Sequence, residues 1–86
     1  MPIKVPKAWK KDGNYLARKY KFKTFLEALG FINIVGTISE ELMHHPDFSL
    51  ENYNELTLRI TSHDKGKLTE RDSQLAERIN SIMSKR

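Results

Sequence analysis

The apolar residues of this chain switch between two spacings, and that switching limits the folds open to it. From Tyr15 to Phe22 they alternate: Leu16, Tyr20 and Phe22 share one face, with Arg18 the exception, while Ala17, Lys19 and Lys21 share the other. A period of two belongs to a half-buried strand. After Thr24 the spacing lengthens, with Phe25, Ala28, Leu29, Ile32, Val35 and Leu42 recurring as on one side of a helix. Thr24 can cap the free N–H groups of that helix, and Glu27 stands three residues on, where a capping box needs it. The β-branched stretch Phe31–Val35 has strand character, but the cap and the long period decide for helix. Pro46 disfavours helical geometry in the residue before it, which ends the helix near Met43–His44. Alternation returns over Glu55–Ser62, with Leu56, Leu58 and Ile60 opposite Thr57, Arg59 and Thr61. Thr69, with Asp72 at the capping-box position, then opens a second helix whose stripe is Leu75, Ala76, Ile79 and Ile82 or Met83.

Shorter signals complete the pattern. Trp9 begins a short strand, and Asp12-Gly13-Asn14 is a turn, since Gly and Asn tolerate positive φ. Phe48 to about Asn52 can form another short strand. The order β-β-α-β-β-α predicts a two-layer α+β domain, a four-stranded antiparallel sheet with its helices on one face. It is one domain over residues 1–86, with 1–7 as an extended, loosely attached arm. Trp9, Phe22, Phe25 and Phe31 are expected in the core. Gly30 and Gly36 each weaken the first helix by about 1 kcal/mol relative to Ala, and close packing at those positions is the expected compensation.

Eighty-six residues build only a modest core, so self-association into a homodimer or homotetramer is expected. The absence of cysteine excludes a disulfide framework or a thiolate metal site. No run is long and apolar enough for a membrane span, and Met1–Lys11 lacks the apolar core of a signal peptide. The expectation is a soluble cytoplasmic protein without a membrane partner. The net charge of +4 is concentrated up to Lys23, where eight basic residues face only Asp12. Such asymmetry suits a solvated basic face or nucleic-acid binding. Without a recognised motif the solvated face is preferred, and a nucleic-acid partner is not expected.

All three histidines lie at element boundaries: His44-His45-Pro46 where the first helix ends, His63-Asp64 where the last strand ends. Loops held by rigid elements are where reactive groups gather, and imidazole gives and takes protons near neutral pH. A helix C-terminus carries partial negative charge, which favours a cation there. The pattern proposes a cluster of two or three imidazoles at one sheet edge; the competing reading is an ordinary polar loop. A metal site is disfavoured, because adjacent histidines rarely aim both rings at one ion and no His-x-x-x-His pair exists.

The stretch Glu40-Glu41-Leu42-Met43-His44-His45-Pro46-Asp47-Phe48, then Tyr53, then Leu58 through Asp72 with Ser62-His63-Asp64-Lys65-Gly66 at its centre, resembles the signature of the pterin-4a-carbinolamine dehydratases. That family also supplies a dimerisation cofactor of a homeodomain transcription factor. Trp9, the Arg18-x-Tyr20-x-Phe22 strand and the Phe25-x-x-Ala28-x-x-Phe31 helix are similar to the family's first half. Four positions depart: Phe48 replaces the usual Trp, Lys67 a Gly, Ser62 a Thr, and Glu41 a frequent Lys. The resemblance implies a hydro-lyase acting in tetrahydrobiopterin metabolism, which removes water from a 4a-hydroxytetrahydropterin to give the quinonoid dihydropterin. The pterin is then the substrate, and neither metal nor cofactor is needed. It implies His44 and His63 as acid and base, and His45 as a pterin-binding group with possible base work. Glu40, Pro46, Phe48, Ser62 and Asp64 become candidate substrate contacts, and Asp72 a helix cap. The alternative is a non-catalytic scaffold or coactivator of the same fold.

Overall fold

The computed structural model describes residues 3–84, with side chains through Ile82. Its elements are β1 (Lys10–Asp12), β2 (Tyr15–Lys21), α1 (Phe25–Leu42), β3 (Asp47–Glu51), β4 (Glu55–Ile60) and α2 (Glu70–Ser84). The four strands form one antiparallel sheet in the order β1-β2-β4-β3. This is the α+β architecture that the spacings predict. No helix among the described residues is long and apolar enough to cross a membrane.

Register puts the core on one sheet face. Leu16 pairs with Ile60, Tyr20 with Leu56, Phe48 with Leu58 and Leu50 with Leu56. Leu16, Leu56 and Ile60 are fully buried, and the helices that cover them add Ala28, Phe31, Val35 and Ile38 from α1 and Leu75, Ala76 and Ile79 from α2. Ile82 packs at the margin of this core; Met83, offered as its equivalent, has a side chain outside the described residues. At 25 cal/mol per Å², each large side chain so buried contributes about 1.5–3 kcal/mol before chain entropy is counted.

Thr24 caps α1 as expected: its hydroxyl accepts from the Glu27 N–H at 3.1 Å, and the Glu27 carboxylate accepts from the Lys23 N–H. The buried face of α1 is turned from the predicted stripe. Phe25 is 47% exposed and Leu29 lies at its edge, while Phe31 is buried. Six residues advance a helix by about 600°, so Phe25 and Phe31 project about 120° apart and cannot share one face. Gly30 and Gly36 likewise depart from expectation, since a Cβ built at either meets nothing within 4 Å.

The arm is also held more firmly than the sequence suggests. Ser73 Oγ donates to the Lys4 carbonyl, and the Asn80 side-chain amide donates to the Lys7 carbonyl at 2.9 Å. The oxygen of Asn80 accepts from Trp9 Nε1 at 2.9 Å and from Arg18 at 2.6 Å. These bonds explain an arginine on the inward face of β2. Its guanidinium lies over the Tyr20 ring, 4.5 Å from the centroid, while its tip reaches Asn80 at the margin of α2. Met1 and Pro2, also assigned to the arm, lie outside the described residues.

Two substitutions test this packing. Gly30→Ala should stabilise the protein by about 1 kcal/mol, because the helix gains propensity and no neighbour is displaced; the urea midpoint would show it. The Tyr20 hydroxyl is buried without a hydrogen-bond partner, and burial pushes its ionisation up from 10.0 to about 12, more than the nearby Arg18 charge lowers it. The unfolded chain therefore loses this proton first, so the Tyr20 contribution is intact below pH 10.0 and is lost as pH rises toward about 12. Tyr20→Phe should raise stability by about 1 kcal/mol and flatten that alkaline stretch of the stability–pH curve.

Candidate functional site

The end of α1 sets the first two histidines. Met43 takes a left-handed conformation (φ 52°, ψ 41°) and donates its N–H to the Glu40 carbonyl, while His44 N–H bonds to the Ser39 carbonyl at 3.0 Å. This closure satisfies the free carbonyls of the last turn and reverses the chain. His44 and His45 then leave the helix in different directions. His44 is turned inward and only 8% exposed, whereas the His45 side chain is half exposed.

His44 Nε2 meets Asp72 Oδ1 at 2.6 Å, and Asp72 is fully buried at the start of α2. The other carboxylate oxygen accepts from Ser62 Oγ and from the Thr69 N–H, each at 2.8 Å. Thr69 thus supplies half of the predicted capping box. The Asp72 side chain covers its N–H, but the Thr69 hydroxyl bonds to Ser62 Oγ at 2.7 Å and not to the helix. Asp72 does cap its helix, and it also ties the histidine after α1 to the strand end before α2.

His45 Nε2 bonds to Glu40 Oε2, five residues earlier on α1. His63 Nε2 lies 3.6 Å from Asp47 Oδ2, across the sheet edge where β3 begins, and its ring meets Tyr15 edge-on at 6.3 Å between centroids. Each of the three histidines therefore faces a carboxylate through Nε2. An ionised carboxylate only accepts hydrogen bonds, so Nε2 carries the proton in the two hydrogen-bonded pairs, His44–Asp72 and His45–Glu40, and Nδ1 of a neutral ring is left there as an acceptor. His63 and Asp47 are near each other without a hydrogen bond.

The remaining sequence-predicted residues separate. Pro46 and Phe48 line a pocket of about 160 Å³ together with His45, Gly36, Val35 and Leu58. Phe48 is 54% exposed and forms an apolar wall, as the usual Trp would. Glu40 is exposed and joined to His45. Asp64 is exposed and bonded to Arg71 at 2.7 Å, and that hydrogen bond holds its carboxyl below the ordinary carboxylate range. Ser62 departs from expectation: it is fully buried with its hydroxyl between Asp72 and Thr69, so it supports the site from behind and does not line it. Lys67 creates no left-handed strain, because in this loop only Gly66 has positive φ, at 64°, and Lys67 bridges to Ser62 in antiparallel fashion.

Sequence reasoning missed Asp47, Tyr15 and Arg59. Asp47 sits in the motif and could have been noticed as an acid beside His45-Pro46. Tyr15 and Arg59 had no local signal, because only strand register brings Arg59 over the Tyr15 ring, which in turn meets His63. Among the described residues no group of three or more His, Cys, Asp or Glu is arranged to hold a metal ion.

This arrangement defines a small α+β protein with histidine–carboxylate pairs where a helix and two strands end. A family model described as pterin 4 alpha carbinolamine dehydratase matches residues 3–82, and the chain belongs to that family. Two relatives carry provisional names as pterin-4-alpha-carbinolamine dehydratases. One, from Koribacter versatilis, is 47% identical over 74 residues, covering 86% of this chain and 78% of its own. The other, from Natronomonas pharaonis, is 37% identical over 78 residues, covering 91% and 84%. Among solved structures, a transcriptional coactivator/pterin dehydratase from Brucella melitensis superposes with a TM-score of 0.81 at 31% identity, covering 88% of this chain and 82% of that one. A pterin dehydratase-like RuBisCO assembly factor of the alpha-carboxysome shares the fold, with a TM-score of 0.66 at 16% identity over 86% and 84% of the two chains.

The Asp72 junction predicts a large stability effect. Asp72→Ala would leave His44, Ser62 and the Thr69 N–H without their common acceptor. It should cost at least about 1–3 kcal/mol, the range for leaving a buried hydrogen-bonding group without its partner, seen as a lowered denaturant midpoint.

Proposed function

We propose that the chain dehydrates 4a-hydroxytetrahydropterins by histidine acid–base catalysis. The observation that supports this most is that each histidine faces a carboxylate through Nε2: His44 is hydrogen-bonded to Asp72 and His45 to Glu40, and His63 lies 3.6 Å from Asp47. A carboxylate behind an imidazole fixes its orientation and which nitrogen faces the reaction. The chemistry needs two proton movements. One proton is delivered to the C4a hydroxyl, which departs as water as the C–O bond breaks; another is removed from a ring nitrogen, and the quinonoid dihydropterin forms. Atoms and electrons balance without an oxidant, a reductant or a bound cofactor.

In this reading the exposed His63 delivers the proton to the hydroxyl. His44, locked by a fully buried carboxylate, accepts the ring proton through the nitrogen that Asp72 leaves available. His45, with Pro46 and Phe48, lines the apolar pocket against which a flat pterin ring would rest. Glu40 and Asp64 stand at the rim. Phe25 and Leu26 leave an apolar strip exposed on α1, which suits self-association into a homodimer or homotetramer. The same strip suits the second reading, a protein-binding scaffold or coactivator; the similar Brucella melitensis protein is described as a transcriptional coactivator/pterin dehydratase.

Catalysis separates the two readings. Purified protein should accelerate loss of 4a-hydroxytetrahydropterin, followed by ultraviolet absorbance, over the spontaneous reaction. His63→Ala should lower kcat/KM by about 10²–10⁴-fold, the usual contribution of a general acid or base, and His45→Ala should act mainly by raising KM, each with unchanged circular dichroism. No acceleration by the unmodified chain would sink the enzyme reading and leave the scaffold.

A further inference from the structure

Tyr15 and Arg59 stand on the sheet face opposite the helices. Their strands carry Leu16, Leu58 and Ile60 inward, so the alternate positions Tyr15, Ala17, Thr57 and Arg59 face outward. The Arg59 guanidinium lies over the Tyr15 ring, 4.6 Å from its centroid, and the edge of the same tyrosine meets His63. Asp47, which contacts His63 at 3.6 Å, is the cross-strand partner of Arg59. An arginine is thus anchored beside one of the proposed acid–base groups, with a single aromatic ring between them.

Among the described residues Arg59 makes no ion pair within 4.0 Å, even though Asp47 is its neighbour in register. The two nearest acids have other partners: Asp47 is with His63, and Asp64 is with Arg71. Lys65 and Lys67, both exposed, follow His63 in the same loop. Near His63 the Arg59 guanidinium is thus a charged group without a charged partner among the described residues, beside two acids that are each engaged elsewhere. A guanidinium presents a planar fork of donors that matches a phosphate or carboxylate in two parallel bonds. Stacking on Tyr15 already restricts its rotamers, which lowers the entropy lost on binding.

We propose that Arg59, held by Tyr15, receives an anionic group on the C6 substituent of the pterin, so that this chain prefers acidic pterins to those with a neutral polyol chain. The shared chemistry is a phosphate ester or a carboxylate. This rests on the dehydratase reading of His63 and adds to it the class of substrate.

The test is calorimetric binding to the full chain of three 7,8-dihydropterins. One carries a trihydroxypropyl chain at C6, the second the monophosphate ester of that chain, and the third a p-aminobenzoylglutamate group. At low salt the phosphate ester, the glutamate compound, or both should bind about tenfold or more tightly than the neutral one, a difference of about 1.4 kcal/mol. That ratio should shrink as salt is added. Arg59→Met should bring the ratio close to one, and Arg59→Lys should restore only part of it, because lysine keeps the charge but not the fork. Which of the two acidic probes gains identifies the anion. Equal binding of neutral and acidic probes would overturn the inference while leaving the dehydratase reading intact. A preference that survives Arg59→Met would overturn the role of Arg59. Binding of none of the three would overturn the pterin reading and this inference with it.

Discussion

One buried carboxylate connects most of what is distinctive in this protein. Asp72 lies at the first turn of α2 with no exposed surface, and it accepts from His44, Ser62 and the Thr69 backbone at once. A carboxylate out of water is costly unless its lone pairs are filled. Three donors from three different segments fill them. The result joins the end of α1, the end of β4 and the start of α2, so the helix layer and the sheet meet at a fixed point. The histidine motifs lie far apart in sequence and would otherwise be positioned only by loops.

From that point outward the site becomes progressively wetter. His44 is buried, His45 is half exposed beside Glu40, and His63 is the most exposed, at the sheet edge beside Asp47. The gradient holds the innermost histidine in one orientation and leaves the outer two open to solvent. The departures from the family pattern fall at different depths of this gradient. Lys67 needs no unusual backbone, and Phe48 keeps a flat apolar wall beside His45. Ser62, a third departure, belongs to the buried junction itself, and Lys67 bridges to it along the backbone.

Much of the fold could be read along the chain because it depends on local periodicity. Leu16, Tyr20 and Phe22 announced a strand, and Thr24 with Glu27 announced a helix start, where the structure keeps the Thr24 cap and sends the Glu27 carboxylate one residue further back, to the Lys23 N–H. What escaped was orientation about the helix axis. Phe25 and Leu29 fit the period of α1, yet the layer it packs on buries Phe31 and Ile38. The arm was misjudged for a related reason: its bonds come from Ser73 and Asn80, more than sixty residues away.

The candidate site divides in the same way. By itself the sequence determined that three histidines, a Glu one turn before them and an Asp at a helix start exist at boundaries between elements, because caps and turns are local choices of a few residues. It also determined the family, through motifs that are contiguous. Only the tertiary structure decided which carboxylate belongs to which histidine, that Ser62 is buried behind the site, and that Tyr15 and Arg59 stand beside His63. Those pairings arise from strand register and from the approach of α2 to the end of α1. Register is set by burying one whole sheet face, a condition that no single segment can satisfy alone.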